Sequence, residues 1–145
     1  MTTMTVYYDR EPPTVVTSTE ELDTVLDRIA ENPRYTAFPV FVSIESADRR
    51  YTLQVGVGRS DLSTLVWYEA EVDVLASAGT VDYQQRPKFN FGGTPTDAYD
   101  DSAIPVEVAR RAAREFFEHG TRPTCVTWKE PGYSDDGEAA LHPAA

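Results

Sequence analysis

A thiol and an imidazole, Cys125 and His119, stand close together in this chain on either side of Gly120. Such a couple suits thiolate attack with imidazole as the base, so a small hydrolase is one reading. No nucleophile motif surrounds Cys125, and a lone cysteine is most often a small core residue. His119 falls in the last turn of a predicted helix, where a partial positive charge meets the negative end of the dipole. His142, the second histidine, lies in the C-terminal tail. With one cysteine and two histidines, the chain offers no thiolate set and no histidine pair at helical spacing for a metal. Asp97-Ala98-Tyr99-Asp100-Asp101 gathers carboxylates without the spacing or closing glutamate of a calcium loop. Gly56-Val57-Gly58 and Gly92-Gly93 lack the lysine and the strand–loop–helix setting of a phosphate cradle, and read as turns or bulges. The expectation is no catalytic residue, no cofactor and no metal.

What the chain does carry is negative charge. Against 13 Lys and Arg stand 24 Asp and Glu, a net of −11 over 145 residues. That balance disfavours a grip on nucleic-acid phosphates or an anionic membrane, and favours a basic partner. From Ser60 to Gln85 the acids Asp61, Glu69, Glu71, Asp73 and Asp82 meet no base. From Phe89 to Ala109, Asp97, Asp100, Asp101 and Glu107 again meet none. The last residues add Glu130, Asp135, Asp136 and Glu138. Residues 131–145 are small, polar and aperiodic and read as a flexible acidic tail, leaving 1–130 as one domain. No apolar run is long enough to cross a membrane, and Met1-Thr2-Thr3-Met4-Thr5 lacks the basic start of a secretory signal, so the expected location is cytoplasmic.

Two helices and a series of strands would have to position these acids. Ser18-Thr19-Glu20-Glu21 has the form of a capping box, and Leu22, Val25, Leu26 and Ile29 follow as one apolar stripe that Pro33 stops. A second helix begins near Pro105, buries Ala109, Ala112, Ala113, Phe116 and Phe117, and ends at Gly120. Alternation predicts strands through Phe38, Val40, Val42 and Ile44 and through Tyr51, Leu53, Val55 and Val57. Ser63–Glu69, apolar on both parities, reads as a central strand, with Val72 and Val74 extending that region. Gly79 turns the chain toward Val81 and Tyr83, Thr124–Trp128 is the last strand, and Thr5–Tyr8 is an edge strand. The fold class is α+β: one mainly antiparallel sheet with two amphipathic helices packed on it.

Ile104-Pro105, Ala112 to Phe116, Gly120-Thr121-Arg122-Pro123 and Trp128-Lys129-Glu130 fall in the order of a known C-terminal signature. With Tyr7-Tyr8-Asp9, the Glu-Glu-Leu-Asp opening of the first helix and Leu53-Gln54-Val55-Gly56-Val57, the chain from Val6 to Glu130 resembles the first-numbered family of immunity proteins. These are antidotes encoded beside bacterial polymorphic toxins. The resemblance implies a non-catalytic inhibitor that binds the toxin's C-terminal domain, often a nucleic-acid deaminase. A toxin handling nucleic acid needs a basic groove, and an acidic protein can cover it. The expected contact residues are Glu69, Glu71 and Asp73, then Asp97, Asp100 and Asp101. Trp128, which also fits the core, and Glu130 complete the set. An adaptor or chaperone for another basic partner is the remaining reading.

Overall fold

The computed structural model describes residues 2–70 and 73–132. Glu71 and the whole stretch from residue 133, with the acidic tail and His142, lie outside the described residues. The chain runs β1 (Met4–Tyr8), β2 (Thr14–Val16), α1 (Thr19–Glu31), α2 (Pro33–Ala37), β3 (Val40–Ser46), β4 (Tyr51–Val57) and β5 (Ser63–Glu69). It continues through β6 (Asp73–Ser77), β7 (Lys88–Phe91), β8 (Thr94–Asp97), β9 (Ala103–Ile104), α3 (Val106–His119) and β10 (Trp128–Lys129). Neighbouring strands lie in the order β10-β6-β5-β4-β3-β1-β2, all antiparallel. The β7–β8 hairpin joins by a short parallel contact of Asn90 with Val40, and β9 pairs with the start of β5. The architecture is the α+β sheet with two long helices that the periodicities predict, plus one short helix.

That extra helix corrects the predicted start of β3. Asn32 accepts from the Arg34 amide through its side chain, and Pro33 occupies the first helical position, so the chain re-enters a helix where α1 stops. Phe38 therefore ends α2 and stands 73% exposed, and the strand begins at Val40. In α1 the Ser18 hydroxyl accepts from Glu21 N at 3.0 Å, but the Glu21 carboxylate turns to Thr17 N and Oγ1 and not to the cap residue. Pro105 is the N-cap of α3, one position earlier than the first helical turn, and Gly120 closes it with φ 71°. Arg110 and Arg114 of α3 reach Asp23 and Asp27 of α1, tying the helices side by side.

The main core lies under the helices. Val40, Val42 and Ile44 of β3, Leu53, Val55 and Val57 of β4 and Leu65 and Trp67 of β5 face Leu22, Leu26, Ala112, Ala113 and Phe116. Alternation sends the intervening residues to the other face, where no helix packs. There Phe41 and Phe89 stack at 4.8 Å, with Leu62, Ala98 and Ala103 completing a second, smaller core beneath the β7–β8 hairpin. Gly56 makes this possible: a Cβ on it would stand 2.6 Å from the Phe89 ring. The hairpin itself turns at Gly92 and Gly93, both at positive φ, as a two-residue connection of this twist requires.

Two strand predictions give way to side-chain chemistry. Val81 and Tyr83 pack against the smaller core without forming a strand. Of Thr124–Trp128 only Trp128 pairs, with Ser77, and the ladder runs on to Lys129. The amides of Thr124 and Cys125 donate instead to the Glu115 carboxylate, at 2.7 and 3.2 Å, and so are lost to a sheet. Thr5–Tyr8 is one place in from the edge, because β2 lies outside it.

Candidate functional site

Of the predicted acids, Glu69 and Asp73 stand at the end of the β5–β6 hairpin and Glu130 follows the neighbouring β10, while Asp97 lies on β8 and Glu71 is outside the described residues. Glu69 and Asp73 face each other across the last rung of β5 and β6. Glu69 is half-buried, accepts from Trp67 Nε1 at 3.0 Å, and has the Arg122 guanidinium 3.9 Å away. Asp73 is exposed, with no cation in salt-bridge reach among the described residues. β10 runs antiparallel beside β6, so Glu130, also exposed, follows Lys129 along the same edge. The 99–101 segment is laid against that edge: Asp100 N donates to Gly132 O at 2.8 Å, and Lys129 Nζ donates to Asp100 O. Asp101, exposed and at φ 49°, is thereby brought to the Glu130 side of the molecule.

The acidic loop is not uniformly unopposed, because the fold supplies bases from outside it. Arg86, whose side chain is almost wholly buried, donates to the Asp100 carboxylate and to Ala98 O. Lys88 pairs with Asp97 across the β7–β8 ladder. At the hairpin end, Arg50 lies beside Ala70, whose amide donates to Arg50 O at 2.9 Å. The base-free stretches of sequence thus become a mixed surface. Among their described acids, with Glu130 after them, Asp73, Asp82, Asp101, Glu107 and Glu130 are exposed with no cation in salt-bridge reach, and of these Asp73, Asp101 and Glu130 lie on or beside the β6–β10 edge.

The C-terminal signature residues build a clasp under this edge. Glu115 on α3 holds Thr124 through both N and Oγ1 and Cys125 through N. Burial alone would raise its pKa, but these hydrogen bonds bring the carboxyl below the usual glutamate range. Pro123 is buried and its carbonyl accepts from Trp128 Nε1 at 2.8 Å. Trp128 is half-buried against the main core, 6.4 Å from Trp67, which in turn meets Phe116 edge-on and stacks on Tyr51. Its role as packing residue and its place beside Glu130 are both realised in this geometry.

Little here favours nucleophilic chemistry. Cys125 is half-buried against the core, and burial, followed by the Glu115 carboxylate, pushes its thiol above the ordinary value. A raised thiol holds less of the reactive thiolate. His119 is exposed at the end of α3, and no hydrogen bond joins it to Cys125 among the described residues. Among those residues no group of three His, Cys, Asp or Glu is placed to hold a metal ion. No helix is long and apolar enough to cross a membrane.

The family model described as immunity protein Imm1 matches residues 10–130. The chain belongs to the Imm1 immunity-protein family. The match spans β2 through β10 and takes in both the clasp and the β6–β10 edge. Membership implies that the chain binds a cognate toxin protein. No curated protein matches the chain.

Sequence reading missed two parts of this site. Arg122 was visible only as a motif residue, and its approach to Glu69 depends on how the loop after α3 folds. The base partners Arg86 and Lys88 sit just ahead of the acids they neutralise. The Gly92-Gly93 pair, flanked by Phe89, Phe91 and Thr94, was the available sign that a hairpin folds them back.

Proposed function

We propose that this Imm1 protein neutralises a basic toxin domain, a nucleic-acid deaminase, by laying the β6–β10 edge over its substrate groove. The protein turns nothing over itself and acts in the cytoplasm. Asp73, Asp101 and Glu130 are the leading contacts, with Glu69, Glu71 and Trp128 around them. Asp100, held by the buried Arg86, contributes less to this edge, and Asp97 lies apart from it on the β7–β8 hairpin. The observation that carries the reading is the spread along the β6–β10 side of exposed carboxylates from three separate parts of the chain: Asp73 at the hairpin end of β6, Glu130 after β10, and Asp101 beyond the far end of β6, where its carbonyl accepts from Gly79 N. The choice of a deaminase comes from the family resemblance, and the net charge of −11 supports a cationic partner.

An antidote must work when dilute. Nanomolar affinity needs about −12 kcal/mol, drawn from an interface of roughly 1,600 Å² with a few desolvated anchors and a charged rim. The test is titration calorimetry with the toxin domain encoded beside this gene, across a range of salt. Reversing Asp73, Asp101 and Glu130 together (D73K, D101K, E130K) is expected to weaken binding at low salt by on the order of a hundredfold. Affinity indifferent to both salt and the triple reversal would reject the acidic edge as the contact.

A further inference from the structure

The face of the sheet opposite the helices is covered only in part. One row of residues crosses it in register: Val74, Tyr68, Thr52, Glu45, Thr5 and Val15. Tyr7, Val15, Val74 and Phe91, four of the five large apolar side chains exposed among the described residues, belong to this face or to the hairpin resting on it. Where the hairpin meets the sheet there is a hollow of about 200 Å³. Its walls include four aromatic rings, Phe41, Tyr68, Phe91 and Tyr99, together with Asp97 and Gln54.

We propose that this hollow receives one arginine side chain of the toxin. The inference rests on the reading that a basic toxin domain is the partner. The space lies below the roughly 300–1,000 Å³ of sites for metabolites, so it suits a single side chain. A guanidinium satisfies both kinds of wall, because its plane stacks on aromatic faces while its N–H groups donate to a carboxylate. Gln54 is buried and accepts from Tyr68 Oη at 3.4 Å, which ties that ring to the floor. Asp97 is already paired with Lys88, but a carboxylate accepts several donors and the lysine is 64% exposed, able to yield to an incoming cation. Phe91, one of the walls, is 51% exposed.

The test uses the intact chain, isotope-labelled and titrated by NMR with N-acetyl-arginine methylamide, and with the lysine analogue in parallel. The ring resonances of Tyr68, Phe91 and Tyr99 are expected to move along one saturable curve. Arginine should bind about threefold or more tighter than lysine. Phe91→Ala and Asp97→Asn, both at accessible positions, should each weaken that binding several-fold. Each should also weaken the complex with the neighbouring toxin domain, about tenfold. No saturable shift at these rings, equal binding of lysine, or indifference of the amide to Asp97→Asn overturns the proposal. So does a toxin complex that neither variant affects. Saturable arginine binding with no toxin complex at all would sink the toxin reading alone.

Discussion

Asp9 closes β1 with its backbone in the left-handed region, φ 53°, and three side chains turn to its carboxylate. Tyr35 Oη donates at 2.7 Å, Asn90 Nδ2 donates at 3.2 Å, and the Arg34 guanidinium stands 3.7 Å away. The Tyr35 hydroxyl, aided by Asn90 and Arg34, holds the carboxyl below the usual aspartate range against the opposing pull of burial. A lowered folded pKa means stability that is complete above the ordinary aspartate value and lost as pH falls through the lowered one. Asp9→Asn is therefore expected to cost about 1–3 kcal/mol at neutral pH. Urea unfolding should show the gap between variant and parent narrowing below about pH 4. This aspartate belongs to the Tyr-Tyr-Asp string of the sequence, and its role is to join β1, α2 and β7.

Among the elements, the β7–β8 hairpin depends on a single missing side chain. Gly56→Ala would drive a methyl group into the Phe89 ring, and the ring has Phe41 stacked behind it. The expected cost is about 1–3 kcal/mol, measured by thermal or denaturant unfolding. A matching loss of slow hydrogen exchange should be confined to residues 88–97. α1 and α3 were legible in the sequence because each has one buried face and a helical period, β3 and β4 because apolar residues alternate along them, and β5 because its apolar run fits a strand buried on both faces. The hairpin and β9 were not, since their strands are short and their partners lie far away in the chain. Thr124 and Cys125 have strand-like composition, yet Glu115 takes their amides, an interaction no local pattern encodes. For the site, the acids were legible as residues, but which of them stay exposed was decided by Arg86, Lys88 and Arg122 arriving from elsewhere.

At the scale of the whole molecule, charge and shape are divided between the two faces of one sheet. The helices cover most of one face, so the open face and the β6–β10 edge are surfaces left for a partner. A net charge of −11 acts over distance, whereas Phe91 and its neighbours act only on contact. Stopped-flow association with the toxin domain is accordingly expected to slow about tenfold or more between low and physiological salt. Dissociation should change far less with salt and respond chiefly to Phe91→Ala. An association rate flat across that range would separate this molecule from the class of electrostatically guided inhibitors.

The clasp made by Glu115, Pro123 and Trp128 is held together by its own hydrogen bonds. It is a chassis joint, indifferent to what is bolted on beside it. Two chains sharing this joint need not disarm the same poison: exchange of the β7–β8 hairpin together with Asp73, Asp101 and Glu130 should carry protection from one toxin to another, while the joint stays as it is.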